Sequence, residues 1–163
     1  MPTNEELLER AVSNVTPRDL AEKKLASGKP LRLYLGIDPT GSHLHLGHSV
    51  PLRKLKAFQD AGHHVIFLIG SFTAMIGDPS GRDQQREPLT RADVEENFKD
   101  YQEQACKILD FDKIEIVHNH EWLEKLGFEE IVQLASNFTV QQMLDRDMFQ
   151  KRLEEGKPLA LPE

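Results

Sequence analysis

Apolar residues along this chain change rhythm several times, and each change marks an expected element. Residues 65–69, Val65-Ile66-Phe67-Leu68-Ile69, form an unbroken apolar run of the kind a buried strand needs. Residues 31–37 alternate less regularly but are rich in strand formers, and they run into Asp38-Pro39-Thr40-Gly41, a strong turn signal. Between these runs Leu46, Val50, Leu55 and Phe58 fall near helical spacing over 45–61, and Gly62 is a natural stop. Two strands joined through one helix is the pattern of a right-handed parallel crossover, so the sequence predicts the start of a doubly wound α/β sheet.

Local signals extend this outline in both directions. Thr3 with Glu6 has the form of a capping box and opens a short helix carrying Leu7, Leu8, Ala11 and Val12; Thr16-Pro17 starts a second helix that Gly28 closes. Thr90 with Asp93 caps a helix expected to reach about residue 109, and 113–117 read as a third strand. Helical patterning then fills 121–126, 128–137, 139–144 and 148–155, broken by Gly127 and ended by Gly156-Lys157-Pro158. The expected organisation is a helical segment over 1–30, an α/β unit over 31–120 and a helical segment over 121–163.

Composition narrows the class. A chain of 163 residues fits one domain, which buries roughly 68 to 70% of its unfolded surface, and 39% hydrophobic with 29% charged residues is ordinary for a folded protein. A net charge of −7 argues against DNA binding and against a free-standing nucleic-acid binder. The local basic groups Arg53, Lys54 and Lys56, and Arg82, Arg86 and Arg91, read first as solvated faces. The single cysteine, Cys106, cannot form an internal disulfide, and among Phe98, Tyr101, Ala105, Ile108 and Leu109 it reads as a small buried residue. Residues 65–69 are too few to cross a bilayer and the first residues are polar and acidic, so the cytoplasm is the expected location.

Ligands of such sheets lie at the carboxyl ends of the strands, where the loops 38–48 and 71–82 are expected. His45 and His48, spaced i, i+3 at a helix start, admit three readings. With His43 they could ligate a metal, although no cysteine cluster or acidic pair completes the sphere. They could simply cap or pack the helix. They could face a phosphate, since the preceding turn, the crossover and the free amides of a helix start all suit an anion. Thr40, His45 and His48 supply donors for charge developing on phosphorus, and Gly47, without a Cβ, leaves room for a flat ring or a ribose. Asp78-Pro79-Ser80-Gly81 reads as an ordinary type I turn, or Asp78 as a strand-end carboxylate holding a ligand ammonium. Arg82 and Arg86 beyond it either close over a polyphosphate or sit in water.

The run from Tyr34 to His48, followed by Phe58-Gln59-Asp60-Ala61-Gly62-His63 and Ile76-Gly77-Asp78-Pro79-Ser80-Gly81-Arg82, resembles the bacterial tyrosyl-tRNA synthetases, class I enzymes whose first signature is His-x-Gly-His. The likeness extends through Ser136 to Pro158. It implies the first half of a Rossmann-like (HUP-type) parallel sheet with a helical insertion, and a tyrosine-tRNA ligase that makes tyrosyl-adenylate and passes the tyrosyl group to tRNA(Tyr). Thr40, His45 and His48, with Arg82 and Arg86, would then act on the transferring α-phosphoryl and the departing pyrophosphate. Gly36, Asp38, Thr40, His45, Gly47 and His48 would line the ATP pocket, Tyr34 would meet the substrate phenol and Asp78 its ammonium. Without the resemblance, Tyr34 reads as a packed strand tyrosine.

The resemblance further implies Mg2+ travelling with ATP rather than in a dedicated protein site, and a homodimer formed through 128–155. The nucleophile of such a reaction is an ionised carboxylate, so positioning and charge stabilisation replace a general base. Complete members also carry a lysine-rich second signature, a further half of the nucleotide fold and a tRNA-binding region. These 163 residues contain none of the three, so the chain reads as an N-terminal catalytic fragment that makes little adenylate alone. Two other classes remain. One is a small His-x-Gly-His nucleotidyltransferase, against which the Gly77–Gly81 segment speaks; the other is a short non-catalytic paralogue or binding protein. The tryptophanyl enzymes usually have Asn where His48 stands.

Overall fold

Three parallel strands in the order β1-β2-β3 form the centre of the protein. They are β1 (Arg32–Ile37), β2 (His64–Ile69) and β3 (Ile114–His118), seen in a computed structural model that describes residues 2–76 and 88–159. Ahead of the sheet lie α1 (Asn4–Glu9) and α2 (Arg18–Ala26). The crossovers are α3 (Leu46–Asp60) and α4 (Arg91–Ala105), and α5 (His120–Leu123), α6 (Phe128–Ala135), α7 (Val140–Leu144) and α8 (Asp147–Glu154) follow β3. Both expected capping boxes at α1 and α4 are present, Thr3 with Glu6 and Thr90 with Asp93.

Strand pleating sorts side chains onto two faces. Leu33, Leu35 and Ile37 of β1, Val65, Phe67 and Ile69 of β2, and Ile114 and Ile116 of β3 join one core with Leu52, Leu55 and Phe58 of α3 and Ala105 of α4. Full burial of Val65, Phe67 and Ile69 is worth about 1.5 to 3 kcal/mol apiece. Leu7, Leu8 and Leu25 enter the same core from α1 and α2. Lys54 of α3 fastens that end by donating to the carbonyls of Glu6 and Leu7 in the last turn of α1, where helix carbonyls run short of backbone donors. Two crossovers of one hand, running in one direction, put α3 and α4 on the same side of the sheet. The opposite face carries Tyr34 in register with Ile66 and Gly36 with Leu68; Ile66 and Leu68 stay half-buried, so the unbroken apolar run of β2 is covered on one side only among the described residues.

Several expectations need correction. Leu46 is 85% exposed and Val50 is also exposed, while the buried face of α3 is Leu52, Leu55, Phe58 and Gln59. Nine residues, about two and a half turns, separate Leu46 from Leu55, so the two face opposite ways. Cys106 is exposed, not buried: Ala105 holds the core position, and the next residue lies about 100° further round. α4 ends at Ala105, short of 109, and α1 ends at Glu9, which leaves Ala11 beyond it with φ 55°. Among the described residues no helix is long and apolar enough to cross a membrane.

Candidate functional site

The turn between β1 and α3 is held where the strand ends meet. Gly70 N donates to the Ile37 carbonyl at 2.9 Å, which sets the carboxyl ends of β1 and β2 side by side, and Thr40 N donates to the Asp38 carbonyl at 2.8 Å. The chain then enters α3 with His45 as N-cap. His45 Nδ1 accepts from Gly47 N and His48 Nδ1 accepts from His45 N, each at 3.1 Å, and the two rings stack with centroids 3.9 Å apart.

This geometry merges two of the sequence readings. The histidines do cap the helix, through Nδ1. Because each Nδ1 offers its lone pair to a backbone N–H, the proton of each neutral ring sits on Nε2, and the pair becomes two Nε2–H donors at a helix start that already favours anions. Burial, and then the neighbouring His45, hold the His48 pKa below the ordinary histidine value, so His48 is neutral at pH 7. Among the described residues no three His, Cys, Asp or Glu side chains gather where an ion could bind. Gly47 is also required for a reason nearer than a ligand: a Cβ there would come within 2.9 Å of His45 Cε1. At Gly36, by contrast, a Cβ would meet only Leu68 Cδ2 at 3.8 Å, an ordinary contact.

A second array ties the three strand ends together. Asp38 Oδ1 accepts from Thr73 Oγ1 at 2.7 Å, Thr73 Oγ1 accepts from Asn119 Nδ2 at 3.0 Å, and Asn119 Oδ1 accepts from Phe72 N at 2.8 Å. Asn119 is 7% exposed, and its N–H donates to the Ile69 carbonyl. Gly70 makes the approach possible, because a Cβ there would lie 1.6 Å from Asp38 Oδ1. Sequence reasoning missed Gly70, Thr73 and Asn119; the available signal was their position, directly past the ends of β2 and β3, where such sheets bind ligands.

Tyr34 is 70% exposed, so the packed-tyrosine reading is wrong. Tyr34 and Gly36 alternate along β1 onto the open face, and Asp38, one residue past its end, leads to the turn that carries Thr40, His45, Gly47 and His48. Thr40 is exposed within that turn. Asp78, Arg82 and Arg86 lie outside the described residues.

Comparison with known proteins follows the same lines. Residues 26–163 match the family described as tRNA synthetases class I (W and Y). The tyrosine–tRNA ligase of Carboxydothermus hydrogenoformans is 49% identical across 100% of this chain and 42% of its own length. Tyrosine–tRNA ligase 2 of Vibrio vulnificus is 51% identical across 96% of this chain and 40% of its own. A C-terminally truncated mitochondrial tyrosyl-tRNA synthetase from Coccidioides posadasii superposes with a TM-score of 0.75 at 26% identity, over 99% of this chain and 47% of that one. The chain thus spans about two fifths of the length of the curated relatives it matches.

Proposed function

The chain belongs to the class I tRNA synthetases of the W and Y group, and on that footing we propose that it is the amino-terminal catalytic part of a tyrosine–tRNA ligase. The substrates are tyrosine, ATP with its Mg2+, and tRNA(Tyr); the protein works in the cytoplasm as a homodimer joined through 128–155. The observation that carries the reading is the stacked His45–His48 pair at the end of the row Tyr34, Gly36, Asp38.

In this reading the tyrosine carboxylate attacks the α-phosphorus of ATP, the bond from that phosphorus to the bridging oxygen breaks, and pyrophosphate leaves with the electron pair. The carboxylate is already ionised, so no side chain need take a proton. Negative charge gathers on the phosphoryl oxygens, where Nε2–H of His45 and His48 and the Thr40 hydroxyl are the donors; one donor of this kind is typically worth about 100- to 1000-fold in rate. Arg82 and Arg86 serve the pyrophosphate and Asp78 the tyrosine ammonium. Asp38, anchored by Thr73, lines the nucleotide pocket with Gly36 and Gly47, and Tyr34 meets the phenol.

Calorimetry on the 163-residue chain tests this. Binding of a non-hydrolysable tyrosyl-adenylate analogue, tighter than ATP alone, supports the ligase reading. Binding of ATP with indifference to the tyrosyl group points to a nucleotidyltransferase, and binding of neither to an interaction protein.

A further inference from the structure

We propose that one face of α4 sets the position of the turn between β1 and α3, with Asn97 and Gln104 as positioning residues for Thr40, His45 and His48; the proposal rests on the reading of that turn as a nucleotide site. Asn97 Nδ2 donates to the Pro39 carbonyl at 3.0 Å. Gln104 Nε2 donates to the Ser42 carbonyl at 2.8 Å, while its Oε1 accepts from Leu44 N at 2.9 Å. The two amides stand seven residues apart, about two turns, and so share a face. Between them Tyr101 is buried, its ring centroid 6.0 Å from that of His48.

The three hydrogen bonds from Asn97 and Gln104 all reach the main chain of a segment that has no helix or strand of its own. Such a loop gains precision only from what holds it. Asn97 grips it just before Thr40, and Gln104 grips it on both sides of His43, immediately ahead of His45. Gln104 also donates to the Asp100 carbonyl at 2.9 Å, which fixes its amide to its own helix. An amide suits the task chemically: it is donor and acceptor together, and it adds no negative charge beside a polyphosphate, whereas a carboxylate would repel both the carbonyls and the ligand. α4 connects β2 to β3, so its register on the turn is set by the same crossover that builds the sheet.

The experiment is amide hydrogen exchange on the 163-residue chain, paired with binding of the tyrosyl-adenylate analogue. In Gln104→Ala, exchange across 40–47 rises about tenfold with 52–60 and β2 unchanged, and analogue affinity falls about tenfold. Gln104→Glu, which keeps the acceptor for Leu44 but not the donor for Ser42, falls between; Asn97→Asp and Asn97→Ala act at Pro39. Unchanged exchange across 40–47 in all four variants overturns the proposal, as does a rise spread evenly over the whole chain, which marks a general loss of stability. If the turn loosens as expected while the unaltered chain binds no analogue, the coupling stands and the ligase reading fails.

Discussion

The carboxylate of Asp38 rests against the α-carbon of Gly70, so closely that a Cβ at Gly70 would stand 1.6 Å from Asp38 Oδ1 and 2.5 Å from Thr73 Oγ1. Two residues 32 positions apart, each directly past the end of one of two neighbouring strands, thereby share one space, and Thr73 and Asn119 lock the arrangement.

Gly70→Ala must therefore expel Asp38. The expected cost is about 1 to 3 kcal/mol of stability, with loss of analogue binding, and Asn119→Ala, which strands the Phe72 N–H, is expected to cost about as much. Thermal unfolding and calorimetry check both. Combining Gly70→Ala with Asp38→Ala should cost less than the two separately, because the more severe of the two clashes, that with the carboxylate, disappears and the one with Thr73 Oγ1 remains.

His45 carries two separable duties. Asparagine at that position preserves an N-cap acceptor but has no Nε2–H, so His45→Asn should unfold near the unaltered temperature and still lose analogue affinity. His45→Ala should lose both, with a stability cost of about 0.5 to 2 kcal/mol. Equal affinity in His45→Asn and the unaltered chain would remove His45 from the phosphate site.

Acid should weaken the fold through His48 and His118, whose pKa values burial holds below the ordinary 6.5. The unfolded chain then binds protons that the folded chain refuses, so stability declines as pH falls below about 6.5 and levels off once both rings are protonated in the folded state. Urea midpoints between about pH 7 and pH 5 should show this decline, and His48→Asn should flatten it. NMR titration should place the His48 ring below a model histidine.

On α6 and the residues after it, Phe128, Leu134, Phe138 and Val140 point apolar surface outward, with Phe128 82% exposed. A homodimer through 128–155 would cover it. Sedimentation should then show association that depends on concentration and disappears in Leu134→Lys, with the sheet core unaffected. A monomer at all concentrations would sink the proposed homodimer.

Much of the molecule is legible in the sequence. Element order, the three strands, the capping boxes at Thr3 and Thr90 and the turn at 38–41 followed from neighbours within a few residues of each other, because capping, turn chemistry and apolar periodicity are short-range. The histidine pair was legible for the same reason. The burial of α3 was misjudged where the apolar count included Leu46, since helix phase decides burial and not hydrophobicity alone.

By itself the sequence determined that a parallel crossover would bring Asp38, Thr40, His45 and His48 to the end of a strand, and which family pattern they follow. Tertiary structure alone decided what holds them: Gly70 making room for Asp38, Asn119 tethering Thr73, and Asn97 and Gln104 gripping the turn. Those partners lie as much as 62 residues apart in the chain, and an asparagine or glutamine on a polar helix shows no local sign of whether it faces water or a distant carbonyl. Only the packing of α4 against the sheet settles that.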